Sequence, residues 1–187
     1  MTGASLDRLY ADLLADQRNR EHKLPPVDKW HPPLSGDIDI RIARDGTWYH
    51  EGAPIVRKPL VKLFASILKH EDNEYYLVTP QEKWRLCVDD APLHVIAVER
   101  QQRDQQQALV FTTLTDDTVL ASAQHPLHVD VDATTGEPSP YVLVRSQLSG
   151  LISRAVYYEL VEMAERKQLD GAEVFGVTSM GVFFPLS

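Results

Sequence analysis

Residues 36–48 read GDIDIRIARDGTW, and this stretch decides how the chain begins to fold. Isoleucine occupies every second position from 38 to 42 and alternates with charged residues, which is the period-two pattern of a strand with one buried face. Asp45-Gly46 follows, and this dipeptide supplies the positive φ that a tight hairpin turn requires. The segment therefore predicts a β-hairpin.

Three further segments have the spacing of amphipathic helices. Apolar residues recur at i, i+3, i+4, i+7 and i+8 in residues 60–68, after a proline that suits a first helical turn. Residues 5–14 show the same spacing and predict an N-terminal helix, which a proline-rich extended connector follows. A long helix is predicted from about residue 146 to residue 168, with its end at Gly171.

The other apolar segments are short and predict strands. They are residues 75–79, 83–88, 93–98, 108–114, 118–121, 127–131, 141–144, 174–177 and 182–184. The glutamine-rich piece 101–107 is interpreted as a solvated hairpin loop. Because hairpin connections dominate, the predicted class is α+β with mostly antiparallel sheets.

An internal duplication is the main organisational prediction. A shift of 88 positions brings residues 55–57 (IVR) onto residues 143–145 (LVR), and the apolar positions that follow also coincide. The chain is accordingly divided into an N-terminal helix and connector (1–35), a first repeat domain (36–88) and a second, enlarged repeat domain (89–187), each repeat with one main helix. Residues 87–126 are expected to supply the extra strands, and the crevice between the copies is the expected pocket.

Composition limits the classes of partner. The chain has 187 residues and a formal net charge of −8, all of which falls in residues 89–187. Such an acidic protein is a poor candidate for duplex nucleic acid. No signal-peptide pattern or membrane-spanning stretch is present, so no membrane partner is expected. The single cysteine, Cys87, favours a reducing cytoplasm and is expected to be a buried small hydrophobe.

Sequence motifs for catalysis and metal binding are absent. No phosphate-binding loop, dinucleotide fingerprint, HExxH, CxxC or GxSxG pattern occurs. His128, Asp130 and Asp132 share one face of a predicted strand, but same-face residues lie too far apart to converge on one ion, so no metal site is predicted. Ser149 and Ser153 are interpreted as surface or capping groups. No catalytic residue is predicted, and any cofactor is unknown.

A basic set of residues is the best candidate for ligand binding. Arg57 and Lys58 stand at the start of the helix over residues 60–68, and Lys83 and Arg85 share one face of a nearby strand. A helix N-terminus attracts anions, whereas cations there oppose the helix dipole unless an anion offsets them. Trp48 is included as an aromatic neighbour, with a core position as the alternative. A salt-bridge network with the acidic second half is the alternative for the basic side chains.

The sequence resembles the bacterial domain-of-unknown-function 1285 family from about residue 30 to the C-terminus. The residues that carry the resemblance are 36–48 (GDIDIRIARDGTW), 52–57 (GAPIVR) and 82–85 (EKWR). The resemblance implies a two-domain α+β fold built by duplication, with a second domain similar to pleckstrin-homology-like folds. It also implies a nucleotide-like ligand at the domain interface and a signalling role.

Three functions follow as hypotheses. The first is a cytoplasmic module that binds a small anionic ligand, nucleotide-like or a phosphorylated metabolite, with a regulatory role. The second is a hydrolytic enzyme that uses the His128, Asp130 and Asp132 face. The third is a protein-interaction adaptor, which a large exposed apolar patch would indicate. The oligomeric state cannot be derived from the sequence.

Overall fold

The computed structural model describes residues 24–169 and 171–186, and the predicted helix over residues 5–14 lies outside them. The chain divides into two compact units. Of the described residues, the first comprises residues 24–43 together with Thr47–Asp89, and the second comprises Arg44–Gly46 together with residues 90–169 and 171–186. The turn of the first hairpin therefore belongs to the second unit. Within the described residues, no helix is long and apolar enough to cross a membrane.

The first unit is a six-stranded sheet with one helix. After a 3-10 turn at Val27–Lys29, its elements are β1 (Leu34–Ile42), β2 (Trp48–His50), β3 (Ala53–Pro54), α1 (Lys58–Ser66), β4 (Leu68–Glu71), β5 (Glu74–Val78) and β6 (Lys83–Val88). The strand order is β3-β2-β1-β6-β5-β4. The pair β1 and β6 is parallel, and the other pairs are antiparallel.

The core of the first unit follows the predicted alternation. Ile38, Ile40 and Ile42 are at most 7% exposed, and the intervening residues of β1 face outward. Helix α1 buries Phe64 completely, and the ring of Trp48 lies against it with centroids 6.4 Å apart. Gly46 has a φ of +84° in the hairpin turn, as the sequence predicts.

The second unit contains a second six-stranded sheet, one helix and a small third sheet. Its elements are β7 (Leu93–Arg103), β8 (Gln106–Thr113), β9 (Thr118–Leu120), β10 (Leu127–Val131), β11 (Pro138–Arg145), β12 (Leu148–Ile152), α2 (Arg154–Met163), β13 (Glu165–Leu169), β14 (Ala172–Ser179) and β15 (Val182–Pro185). Strands β13, β14 and β15 form the third sheet, which is antiparallel. Helix α2 buries Val156 and Leu160 and contacts β7 and β14.

The two six-stranded sheets have the same strand order. The second runs β10-β11-β12-β7-β8-β9, so in each sheet the first strand of the unit pairs with the sixth at the centre. That central pair is parallel in both sheets. The predicted duplication and the α+β class with mostly antiparallel sheets are confirmed. The helices are not equivalent, because α1 follows the third strand of its unit and α2 follows the sixth.

The long helix predicted over residues 146–168 is wrong. Residues Leu148–Ile152 form β12, and only Arg154–Met163 are helical. Four of the five residues of β12 are buried, so the strand carries apolar residues on both faces of the sheet. Such a run lacks the alternation of a half-buried strand, and its apolar positions also fit the spacing of a helix. Gly150 lets the strand pack tightly, since a Cβ there would lie 3.0 Å from a methyl group of Val95.

The shift of 88 residues that was predicted to relate the two repeats aligns the wrong elements. It aligns α1 with β12, a helix with a strand, because both are short apolar segments that follow an Arg. The strands in residues 87–126 are not additions either, because β7, β8 and β9 form half of the second six-stranded sheet. The additional part of the second unit is the third sheet.

Two smaller predictions need correction. Most of the glutamine-rich piece belongs to strands β7 and β8, and the turn is only Asp104-Gln105, whose φ values are +48° and +61°. Cys87 is exposed instead of buried. The alternation that places Lys83 and Arg85 on one face of β6 places Cys87 there too, while Leu86 points into the core.

Candidate functional site

Two members of the basic set are held by carboxylates within the first unit. Lys83 forms an ion pair with Glu71 and lies over the ring of Tyr76. Arg85 donates to Asp37 at 2.7 Å and has Glu74 at 3.9 Å. The hydrogen bond from Arg85 lowers the pKa of Asp37, and the one from Lys83 lowers the pKa of Glu71. Both cations are thus partly neutralised by their own sheet.

The other members of the proposed site lie around α1. Arg57 is the N-cap residue of this helix and Lys58 is its first residue, and both are exposed. Trp48 is 3% exposed and packs in the core. The structure therefore confirms that Arg57 and Lys58 stand at the helix start. The binding of an anion by Arg57, Lys58, Lys83, Arg85 and Trp48 stays a prediction.

The polar face of β10 has local partners. His128 stacks on Tyr141 with ring centroids 5.2 Å apart. Asp132 accepts hydrogen bonds from the backbone N–H groups of Thr134 and Thr135, which lower its pKa and brace the turn after the strand. Within residues 24–169 and 171–186, no three His, Cys, Asp or Glu side chains are grouped so that they could hold a metal ion.

A cavity of about 490 Å³ in the second unit is the stronger candidate for a ligand site. It is bounded by the turn 44–46, the beginnings of β7 and β11, the end of β12 and the first turns of α2. Its lining residues are Arg44, Asp45, His94, Glu137, Pro138, Pro140, Leu151, Ile152, Ser153, Arg154, Tyr157 and Tyr158. This volume is within the range of small-molecule sites, which are roughly 300 to 1,000 Å³.

Arg44 is held in place at one wall of the cavity. One terminal nitrogen of its guanidinium lies 2.7 Å from the Asp90 carboxylate, and the other donates to Ser139 Oγ at 2.8 Å. Tyr141 donates to the other oxygen of Asp90 at 2.8 Å. Because a guanidinium has five N–H groups, one ion pair and one hydrogen bond leave donors for a ligand. The turn fits closely here, since a Cβ on Gly46 would lie 2.7 Å from His94 Cβ.

The start of α2 forms another part of the cavity wall. Ser153 caps the helix by accepting from the N–H of Val156, which is one of the two roles that the sequence predicts for it. Arg154 is the first helical residue, and its guanidinium is paired with Glu137. The side chains of this pair are 73% and 58% exposed, so it is accessible to solvent and to a ligand.

Aromatic groups complete the cavity. Tyr157 donates to the carbonyl of Leu186 at 2.7 Å, which fixes its ring, and Tyr158 is 59% exposed beside it. Burial raises the pKa of Tyr157, which favours the protonated hydroxyl that donates to Leu186. His94 Nδ1 is buried without a hydrogen-bond partner in the described part of the chain. The walls thus combine rings, aliphatic groups and two guanidinium groups.

The stability of the fold should depend on the protonation of His94. Burial lowers the pKa of this imidazole below 6.5, while the carboxylates of Asp45 and Asp90 and the Arg44 carbonyl act in the opposite direction. The unfolded chain therefore binds more protons below pH 6.5, and stability is lost as the pH falls from 6.5 toward the lowered pKa. Urea unfolding at pH 7.5 and pH 5 should show a smaller loss for His94→Gln than for the wild type. An equal loss in both proteins would contradict this.

Sequence reasoning missed most of this cavity. The sequence interprets Ser153 as a surface or capping group, but it gives Arg44 no role beyond the hairpin segment and places Arg154, Tyr157 and Tyr158 inside a longer helix. The lining comes from segments more than a hundred residues apart in the chain, and only the fold brings them together. The local signal in the sequence was Ser153, a residue type that favours the N-cap position and so indicates a helix beginning at Arg154.

The two sheets of identical order define a duplicated α+β protein. The family model described as "Domain of unknown function (DUF1285), N-terminal domain" matches residues 25–91. "Protein of unknown function (DUF1285), C-terminal domain" matches residues 92–186. The chain belongs to the DUF1285 family, as the resemblance of residues 36–48 and the two later segments indicated.

Solved structures agree with this membership. The chain is similar to a DUF1285 family protein from Silicibacter pomeroyi DSS-3, with 47% identity over 93% of each chain and a TM-score of 0.82. It is also similar to one from Shewanella baltica OS155, with 31% identity over 67% of this chain and 91% of that chain, and a TM-score of 0.52. The comparison with curated proteins gave no match.

Proposed function

We propose that this DUF1285 protein is a ligand-binding module, and that a small molecule with an acidic group binds in the cavity of the second unit. The observation that carries the proposal is the pair of guanidinium groups, Arg44 and Arg154, on the wall of a 490 Å³ cavity that also has aliphatic and aromatic surface. Ligand sites typically combine an apolar lining with a few placed polar groups.

Arg44 is the central residue of the proposal. The ion pair with Asp90 and the hydrogen bond to Ser139 favour one orientation of its guanidinium, which reduces the side-chain entropy lost on binding. The cavity is preferred over the basic set because it offers a lined volume with aliphatic and aromatic groups, whereas Arg57 and Lys58 are exposed at the start of α1. The family resemblance implies a nucleotide-like ligand at the domain interface and a signalling role, so nucleotides are included among the compounds screened. The single cysteine favours the cytoplasm as the compartment.

The test is a thermal-shift screen followed by calorimetry. Nucleotides, phosphorylated metabolites, amino acids and dipeptides are screened first, because a ligand that binds only the native state raises the melting temperature. The affinity of Arg44→Gln for each hit is then measured. Loss of one charge-assisted hydrogen-bonding group, worth about 1.5–3 kcal/mol, should weaken binding about tenfold to a hundredfold.

Two arginine variants control this result. Arg100→Gln removes the same charge from an exposed position on β7 and should leave the affinity within about twofold of the wild type. Arg57→Gln tests the basic set at the start of α1. Unchanged binding by Arg44→Gln, together with a loss in Arg57→Gln, would contradict the cavity and move the ligand to α1.

A further inference from the structure

The cavity in the second unit carries charges of both signs. Arg44 and Arg154 line it beside Asp45 and Glu137, and Asp90 lies behind Arg44. The described residues of the second unit include 13 acidic residues against 7 basic ones. A ligand with only negative charge therefore enters a region where carboxylates outnumber guanidinium groups, and like charges close together are unfavourable.

The ion pair between Arg154 and Glu137 shows how a ligand can meet both signs. Both side chains are well exposed, so separating them costs little free energy. If a purely anionic group takes Arg154, the Glu137 carboxylate loses its partner and faces the incoming anion. If the ligand also brings a cation, Glu137 regains a partner and one ion pair becomes two.

We propose that the ligand is amphoteric: a small molecule whose acidic group binds Arg154 and whose protonated amine binds Glu137. Free amino acids and short peptides are the chemical class that fits this description. The inference rests on the proposed function, because it names the kind of molecule that the cavity of the second unit holds.

The remaining wall suits such a molecule. Tyr157 and Tyr158 lie three and four positions after Arg154 on α2, and both line the cavity. The face of a tyrosine ring attracts a cation within about 6 Å of its centre. Leu151, Ile152 and Pro140 offer aliphatic surface to an apolar side chain. Arg44 remains as a second donor for the acidic group.

The experiment uses four probes of similar size, measured by calorimetry at pH 7.5. L-Phenylalanine carries both charges, N-acetyl-L-phenylalanine carries only the acid, 2-phenylethylamine carries only the protonated amine, and phenyl phosphate carries only negative charge. We expect L-phenylalanine to bind about tenfold more tightly than each of the other three, because only it re-forms both ion pairs.

Variants of the acidic partner make the result specific. Glu137→Gln should weaken L-phenylalanine about tenfold and at the same time strengthen N-acetyl-L-phenylalanine, since it removes the competing carboxylate. Glu159→Gln removes an exposed carboxylate of α2 that does not line the cavity, and it should change neither affinity. A reversal of preference in the first variant alone is a result that a general loss of stability would not produce.

Other outcomes overturn the inference. If N-acetyl-L-phenylalanine or phenyl phosphate binds as tightly as the amino acid through Arg44, the ligand is a plain anion and only the proposed function survives. If none of the four probes binds, the amphoteric class is wrong. The proposed function is decided separately, by whether any hit of the wider screen depends on Arg44.

Discussion

Replacing Asp117 with alanine is expected to lower the free energy of unfolding by about 3–5 kcal/mol, the cost of breaking a largely buried ion pair. Asp117 lies 3.0 Å from Arg145 Nε, and the two side chains are 10% and 16% exposed. Its second oxygen accepts from the hydroxyl of Thr115 at 2.9 Å. The substitution leaves the guanidinium partly buried without this carboxylate and also loosens the turn between β8 and β9.

A double-mutant cycle in urea measures this directly. Arg145→Met should be destabilising by a similar amount, and the double variant should lose clearly less than the two single losses added together, because no unmatched charge is left. Glu159→Ala is the matched control: it removes an exposed carboxylate of the same unit and should change stability by under about 0.5 kcal/mol. Additive losses in the cycle would show that the pair is not coupled.

The same Asp117–Arg145 pair shows what sequence analysis can and cannot reach. In the sequence, a shift of 88 residues aligns Arg145 with Arg57. This alignment is wrong, because it matches α1 with β12. Its actual partner, Asp117, lies 28 residues earlier, just before β9. Strands β9 and β11 are not neighbours in the sheet, but the fold brings them into contact. Charge patterns in a sequence do not identify such a partner, because the pairing depends on strands that are distant in the chain.

Strands and turns were predictable where the local signal agreed with the fold. Alternating isoleucines and the Asp45-Gly46 turn identified the first hairpin, and apolar spacing together with Pro59 identified α1. Helix α2 shows the limit. The run over residues 148–152 is buried on both faces of a strand, and residues 165–169 have helix-forming side chains but pair with β14. In both cases tertiary pairing overrides local preference.

The cavity could be predicted only in part for the same reason. Its capping serine has a local signature, but the position of Arg44 depends on Asp90 and Ser139, which follow it by 46 and 95 residues. A basic set on α1 and β6 was the more visible feature in the sequence. The structure shows that Lys83 and Arg85 have carboxylate neighbours in their own unit.

Ser179 is expected to be the other position of large effect. It is fully buried at the end of β14 and joins the third sheet to the six-stranded sheet of the second unit. Its hydroxyl accepts from the N–H of Leu109 at 2.9 Å and donates to the carbonyl of Ala121 at 2.7 Å. Ser179→Ala removes both bonds and leaves a donor and an acceptor buried, which should cost about 2–4 kcal/mol.

The location of the loss separates this effect from a general one. Beside Ser179, the side-chain amide of Gln107 donates to the carbonyl of Thr178 at 2.7 Å. The backbone carbonyl of Gln107 accepts from the N–H of Met180 at 2.8 Å. Weakening this junction should speed amide hydrogen exchange in β14 and β15 more than in β11 and β12, because the third sheet opens before the large sheet does. Ser149→Ala, on β12, keeps these junction bonds and should leave the exchange of β14 unchanged. Uniform acceleration in all four strands, or a loss of stability below about 0.5 kcal/mol, would contradict the role assigned to Ser179.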